Sequence, residues 1–242
     1  MVTQQQITFG LLNRIFGGFT SNYMPISLEQ MYFHINAFRA KIATERINKN
    51  PGNAYSFKLA QDLGAVPITC VDRADSCFGM WGQNVYKVPL PNMIITDQFS
   101  GTTFIGLLDK STKIEEYDNQ QMNYLKYRRY TSNKRYCYRT NTYLYILNGT
   151  NPPLTHINIQ AVLADPKDIN NYLCPDDICF DENSEYPVDP AWITPIEKLI
   201  LINVLIPLVA SNPDFTANAN AILNGLNGIK QENIPVASDQ EQ

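Results

Sequence analysis

The chain has little of what most enzymes and exported proteins need. Its 242 residues include 2 histidines, His34 and His156, and 5 cysteines, none of them in a tight Cys-x-x-Cys pair. An odd number of cysteines argues against a secreted disulfide framework and fits folding in a reducing cytosol. We interpret both histidines as structural. No Ser-His-Asp or Cys-His set can be assigned, so a hydrolase would need a site that only folding assembles.

Phosphate-binding glycine motifs and long hydrophobic runs are also missing. Gly17-Gly18 and Gly79-x-x-Gly82 lack the P-loop lysine and the GxGxxG spacing, so we interpret them as turns. The N-terminus shows no basic segment followed by an apolar core, which predicts no export signal. The longest apolar stretch, Leu199–Ala210, has about 12 residues, too few for a bilayer core of roughly 30 Å. We therefore expect no membrane association.

Charge is scarce as well. Charged residues form 17% of the chain, and the net charge is −4. Since a typical soluble domain carries about 25% charged residues, the surface must be polar but sparsely charged. A net negative chain is not expected to attract nucleic acid in bulk, although a local basic patch could exist.

What is present indicates helices at both ends of the chain. The first 26 residues look irregular and apolar, as in an arm that docks elsewhere. Ser27 and Gln30 have capping-box spacing and predict a helix that runs to Asn50. A shorter helix is predicted over Ala54–Leu63, closed by Gly64. After Asp189 the apolar spacing is helical again, and a last short helix is predicted over Phe215–Leu223 before a polar, disordered tail.

The middle of the chain is typical of strands separated by turns. No clean period distinguishes helix from strand over residues 114–130. Asp165 and Pro166 suit the cap and first position of a helical turn after the last strand. The predicted strands are Val66–Val71, Asn84–Val88, Met93–Thr96, Thr103–Leu108, Arg135–Arg139, Thr142–Leu147 and Ile157–Leu163.

This order predicts the α+β class. We expect a helical unit formed by the N- and C-terminal segments, with a small antiparallel β-sandwich or barrel inserted between them. The predicted parts are an arm and helices at 1–64, a β domain at 65–164, completing helices at 165–225 and a flexible tail at 226–242.

Cysteines and acidic residues offer two candidate metal sites. Cys70, Cys77, Cys174 and Cys179 could hold zinc, but the spacings of six and four intervening residues favour buried thiols. The acidic loop at 176–185 lacks the glycine and the spaced bidentate glutamate of a calcium loop. We therefore predict no metal and no cofactor. We predict instead that the loop contacts another subunit, through Asp176, Asp177, Asp181 and Tyr186.

Basic residues alternate with tyrosines over residues 124–145, which we call the Tyr/Arg strip. Its basic members are Lys126, Arg128, Arg129, Lys134, Arg135 and Arg139. Tyrosine and arginine are enriched at the anchors of protein interfaces, which favours a subunit contact. The strip could instead face a DNA channel, or bind single-stranded nucleic acid by phosphate contact and base stacking.

Three motifs carry a resemblance that spans the chain. They are Tyr143–Gly149 (YLYILNG), the strand and cap Ile157–Pro166, and the segment Cys174–Val188; the helix that opens at Ser27 also fits. With these motifs the chain resembles the ring or adaptor proteins that join portal and tail in crAss-like podophages.

The resemblance implies a non-enzymatic virion protein in the tail or neck, assembled in the host cytoplasm. It implies a homo-oligomeric ring, twelvefold to match a portal, in contact with the portal and with other tail ring proteins. Double-stranded DNA would pass through the channel without sequence recognition. Because DNA must slide past the ring, a net negative charge suits this role.

Overall fold

The computed structural model describes residues 2–16, 26–56, 58–71, 85–118, 121, 134–140, 142–148, 151–172 and 180–210. Within these ranges the chain forms α-helices and two β-sheets. The predicted α+β class is confirmed.

Helix α1 spans Gln4–Phe16, so the expectation of an irregular N-terminus is wrong. A capping box starts the helix: the Gln6 N–H donates to Thr3 Oγ1 at 3.1 Å, and the Thr3 N–H donates to Gln6 Oε1 at 3.2 Å. The two bonds satisfy donors that a helix N-terminus leaves unpaired. The helix is hard to predict from the sequence because Gly10, in its middle, lowers the helix propensity.

Helix α2 spans Leu28–Lys49 and begins with the predicted capping box of Ser27 and Gln30. The predicted helix over Ala54–Leu63 is wrong. A 3-10 helix covers Pro51–Tyr55, and strand β1 covers Gln61–Pro67. Gly64 does adopt a positive φ of 70°, but it does so inside β1 and not at a helix end.

In the part of the chain that the structure describes, eight strands form two sheets. The three-stranded sheet has the order β1-β8-β4, and the five-stranded sheet has the order β2-β3-β7-β6-β5. All pairs are antiparallel except β5–β6, which is parallel. Residues 93–96, predicted as a strand, form only isolated bridges. The strands after β1 are Thr69–Cys70 (β2), Val85–Pro89 (β3), Thr102–Gly106 (β4), Glu115–Glu116 (β5), Tyr136–Arg139 (β6), Tyr143–Leu147 (β7) and His156–Ala161 (β8).

Asp62 pairs with Gln160 of β8 directly before a bulge in β1 that ends at Ala65. Its carboxylate accepts hydrogen bonds from the Gly64 N–H, from the Asn158 and Gln160 side-chain amides, and from Lys110 at 2.7 Å. Burial alone would raise the pKa of Asp62, but these donors outweigh it and lower the pKa. The ionised carboxylate therefore stabilises the three-stranded sheet.

The described part after Asp189, up to residue 210, is helical, as predicted, whereas the predicted helix over Phe215–Leu223 lies outside the described residues. Asp165 caps a 3-10 helix at Pro166–Asn171, and Asp189 caps helix α3 at Pro190–Ile200. A π-helical turn, Leu201–Leu205, and helix α4, Ile206–Ala210, continue the same rod. The turn precedes Pro207, whose ring would press on the carbonyl four residues earlier.

The continuous helical segment is longer than the 12-residue apolar stretch from which we expected no membrane association. Residues Pro190–Leu208 form 19 helical residues with a mean hydropathy of 1.6, long and apolar enough to cross a bilayer by length and composition alone. One face, however, lies in the protein interior, where Trp192, Ile196 and Ile200 are at most 8% exposed. A core helix has this same character.

Two large apolar clusters and a smaller third one organise the described residues. The first joins α1, α2 and α3, so segments from both ends of the chain share one core. The second takes side chains from both sheets, such as Ile157 and Ile159 of β8 and Leu144 and Ile146 of β7. The division into an inserted sandwich or barrel, with the boundaries given above, stays a prediction.

Arg39 lies at the centre of the first cluster and is fully buried. Its Nε donates to the Pro187 carbonyl at 2.7 Å and its Nη1 to the Leu163 carbonyl at 2.8 Å. Its guanidinium also lies 5.8 Å from the ring centre of Tyr186. Burial lowers the pKa of Arg39, while Tyr186 and Asp165 act in the opposite direction. One helical cation thus holds the end of the β region and the 182–188 segment together.

Asn36, one turn before Arg39 on α2, extends this polar hub. Its Oδ1 accepts from the Tyr186 hydroxyl at 2.8 Å and from the Gln4 amide at 3.1 Å. Its Nδ2 donates to Asp165 at 3.0 Å. The hub therefore connects α1, α2, the 3-10 cap and the 182–188 segment.

We expect Arg39→Ala to lower the free energy of unfolding by about 3–5 kcal/mol, since it leaves buried carbonyl oxygens without a donor. Urea unfolding measures this change. The control is Arg46→Ala on the same helix, where the side chain is exposed; its cost should stay below about 1 kcal/mol. Similar costs for the two variants would contradict the central role of Arg39.

Asp62→Asn should make stability less dependent on acid. Because the pKa of Asp62 is lower in the folded chain than in the unfolded one, its contribution is complete above the unfolded value near 3.9 and is lost as the pH falls through the folded value. The difference in free energy of unfolding between the unchanged chain and Asp62→Asn should therefore close between about pH 5 and pH 2. The exposed Asp97→Asn controls for general acid sensitivity; a gap that stays constant would refute the prediction.

Candidate functional site

The described part of the Tyr/Arg strip forms strands β6 and β7, which pair as a tight antiparallel hairpin. Of its basic residues, Lys134, Arg135 and Arg139 lie in the described ranges, whereas Lys126, Arg128 and Arg129 lie outside them. The hairpin directs alternate side chains to opposite faces of the five-stranded sheet. Its two faces therefore have different surroundings.

Arg139 closes β6 and reaches across to the neighbouring strands. Its Nε lies 3.2 Å from Glu116 Oε1, and its Nη2 donates to Thr102 Oγ1 at 3.0 Å. Its Nη1 donates to the Ser100 carbonyl. Burial lowers the pKa of Arg139, and Glu116 counteracts this effect. The cation is therefore already neutralised within the chain.

An open groove of 860 Å³ surrounds this ion pair. It lies where β4 and the segment leading into β5 separate: the Ile114 N–H still donates to the Ile105 carbonyl at 2.8 Å, but the strands on either side belong to different sheets. Carboxylates outnumber cations on its walls. The charged side chains that line it are Lys113, Glu115, Glu116, Asp118 and Arg139, and Tyr55, 62% exposed, stands at its edge.

Gly101 packs closely against the guanidinium group of Arg139. It has a φ of 88°, and a Cβ atom added there would lie 2.9 Å from Met93 Cβ and 3.4 Å from Arg139 Nη1. Only glycine combines this backbone conformation with so close an approach.

The tyrosines of the hairpin lie on the face of the sheet opposite to Arg139, and several pack against one another. Tyr136 and Tyr138 are 6% and 4% exposed. The Tyr138 and Tyr145 rings stack at 5.1 Å, and Tyr117 meets Tyr136 edge-on at 5.4 Å. These rings form a small apolar cluster and are not free platforms for bases.

The other two described cations differ in their surroundings. Arg135 donates to the buried Asn148 side chain at 2.8 Å, which holds the end of β7. Lys134 is exposed. Lys134 therefore retains the accessible charge that a contact with another molecule needs.

The acidic loop is described from residue 180 onward, and Asp176 and Asp177 lie outside the described residues. Asp181 is exposed and accepts from the Ser184 hydroxyl and from the Asn183 and Ser184 N–H groups. These bonds, the Ser184 hydroxyl first, lower the pKa of Asp181. The loop thus presents a fixed negative charge to solvent.

Tyr186 lies in the interior, 2% exposed, with its hydroxyl bonded to Asn36. Burial raises its pKa, while Arg39 acts in the opposite direction. Its observed contacts are within the chain, so a direct contact with another subunit would require the 182–188 segment to leave the core. The subunit contact at Tyr186 stays a prediction.

The described residues show no group of three or more metal-binding side chains. His34 is half-buried beside the ring of Phe33, and His156 is exposed at the start of β8. Neither lines the groove. Cys70 is exposed, so the interpretation of a buried thiol is wrong for this residue. Cys77, Cys174 and Cys179 fall outside the described ranges, where the choice between zinc and buried thiols stays a prediction.

Comparison with known proteins gives two matches. The family model described as phage tail ring protein 2 matches residues 19–232. The chain belongs to the phage tail ring protein 2 family. A protein named Ring protein 2, from Bacteroides phage crAss001, is 27% identical over 188 residues, which cover 75% of this chain and 80% of the relative. The resemblance to ring proteins of crAss-like phages is therefore confirmed.

Family membership agrees with a structural ring protein of the phage tail. Sequence reasoning found Arg139 but missed the groove and the hub around Arg39. The partner of Arg139, Glu116, lies 23 residues away in the chain, and the acceptors of Arg39 are backbone carbonyls that no residue type reveals. The capping box at Thr3 and Gln6 was the available signal for α1.

Gly101→Ala should lower the free energy of unfolding by about 1–3 kcal/mol, because the new methyl group meets Met93 in a strained backbone. Gly10→Ala is the matched control: it lies in α1 with nothing within 4 Å of the added carbon, and it should raise stability by about 0.5–1 kcal/mol. Chemical unfolding of both variants tests the pair. A Gly101→Ala variant as stable as the unchanged chain would refute the packing described here.

Proposed function

We propose that the chain is a non-enzymatic subunit of a ring that connects portal and tail in the virion. The observation that carries the proposal is the family match over residues 19–232. The finer parts of the proposal are a twelvefold ring, contact with the portal and with other tail rings, a channel for double-stranded DNA, and assembly in the host cytoplasm. The name of the crAss001 relative, Ring protein 2, supports the ring itself.

A closed ring needs head-to-tail contacts, in which two different surfaces of the same chain meet. The Tyr/Arg strip and the acidic loop carry opposite charges and lie on different parts of the sequence. We assign them to the two sides of this contact, with Asp181 held outward by its own turn and Lys134 exposed. Complementary charge of this kind sets the register and speeds association more than it adds affinity.

The alternative of a single-strand nucleic-acid module finds less support. Base stacking needs accessible aromatic faces, but Tyr136 and Tyr138 are buried, and Tyr138 stacks on Tyr145. Arg139 is paired with Glu116 and Arg135 with Asn148. The described half of the strip therefore favours protein contacts over nucleic acid.

Mass photometry of the purified chain should show a closed oligomer of about 330 kDa, the mass of roughly twelve 27.5-kDa copies. Reversing the charges of Lys126, Arg128 and Arg129 to glutamate should greatly reduce the oligomer fraction, because like charges would then face the acidic loop. Reversing Lys41, Lys49 and Lys198, which are exposed on helices, controls for net charge.

A chain that stays monomeric and is absent from virions would refute the proposal. If that monomer bound single-stranded DNA with an affinity that falls steeply with salt, the alternative would be favoured instead.

A further inference from the structure

Helix α1 occupies an apolar site made by the rest of the chain. Ile7, Leu11 and Leu12 are at most 2% exposed, and they pack in the cluster that α2 and α3 build. Arg14 joins α1 to α3 through a 2.7 Å ion pair with Glu197. Without α1, this part of the core would be open to solvent.

Polar contacts fix the register of α1 in that site. The buried Gln4 amide donates to the Tyr32 carbonyl at 3.2 Å and to Asn36 Oδ1 at 3.1 Å. Just before the helix, Thr3 forms an antiparallel bridge with Glu185. Because a misplaced helix would leave these buried polar groups unpaired, the site selects α1 over an arbitrary apolar helix.

Nine residues, 17–25, connect α1 to the next described part of the chain. Residues 17–25 include Gly17 and Gly18, and the ten residues from Phe16 to Ile26 can span at most about 33–36 Å. The family match begins at residue 19, so α1 precedes the part of the chain that the family model covers. The contacts of α1 with the rest of the chain therefore join a segment before the match to a segment within it.

We propose that α1 is exchanged between adjacent copies in the ring, so that each copy packs its helix against α2 and α3 of the next. The inference rests on the proposed ring and adds an apolar contact between neighbouring copies to the charged contact proposed above. Exchange of an identical element retains every contact of the closed chain, so its cost is low. It also turns an internal apolar contact into a head-to-tail contact that repeats around the ring.

The remaining described surface offers no comparable apolar contact. Its large exposed apolar side chains, such as Phe33, Ile95 and Ile202, lie on separate elements. A permanent ring interface normally buries a contiguous apolar patch. The site of α1 provides one, and its occupant is a second copy of this chain because the polar contacts match α1 itself.

The double variant Thr3→Cys with Glu185→Cys tests the exchange. Facing residues of an antiparallel pair have Cα atoms about 4.5–5.5 Å apart, within the range that a disulfide bridges. Assembled rings are oxidised and run on a denaturing, non-reducing gel. Exchange predicts a ladder of covalent multimers, at least tenfold stronger than in either single variant, which controls for the native cysteines. A crosslinked monomer of altered mobility would overturn the proposal.

A second measurement tests the exchange without the cysteine variant, in case that variant does not fold. Rings are assembled from a mixture of light and heavy nitrogen-labelled Arg14→Lys chains, and a carbodiimide joins the new amine to Glu197, which lies at ion-pair distance from Arg14 in the unchanged chain. Exchange predicts crosslinked peptides that combine light and heavy halves, and purely light or heavy pairs would refute it. Native mass spectrometry before crosslinking checks the ring separately: a monomer there refutes the ring, and the exchange with it.

Discussion

The structure depends on a buried cation that binds carbonyl oxygens and no carboxylate. From helix α2, Arg39 donates hydrogen bonds to the backbone carbonyls of Leu163 and Pro187, which belong to two segments far from α2 in the sequence. Backbone acceptors cannot be replaced by a change of side chain, so this contact fixes where the main chain runs. Asn36 adds Gln4 and Tyr186 to the same centre. The helices can therefore share a core only when the β region ends in its observed place.

The groove beside Arg139 lies where the two sheets separate. Where the strands around Ile105 and Ile114 stop pairing, polar groups need new partners, and Arg139, Glu116 and Thr102 provide them. The ion pair is formed inside the chain, so it shapes the groove and contributes little net charge to it. This polar lining differs from the mostly apolar lining of pockets that bind small molecules.

Local signals predicted much of the fold. Ser27 and Asp165 each marked a helix start that the structure confirms, because caps depend on adjacent residues. The helix after Asp189 was predicted from its apolar spacing, and the structure confirms it too. The helix end predicted at Gly64 was wrong, because a glycine with a positive φ occurs in strand bulges as well as at helix ends. The site was harder to predict: Arg139 was found as one charge in a strip, but its partner Glu116 comes from a strand in parallel contact, and no sequence spacing encodes that pair.

The pairing of β1 with β8 also determines when the chain can fold. Gln61 faces Ala161, and β4 lies on the other side of β8, so the middle strand of the three-stranded sheet is the last to be synthesised. At roughly 5–20 residues per second, β1 waits about 5–20 s on the ribosome for its partner. Such non-local closure slows folding and leaves strand edges open meanwhile. The three-stranded sheet can therefore close only after β8 has been synthesised, and until then β1 has an unpaired edge.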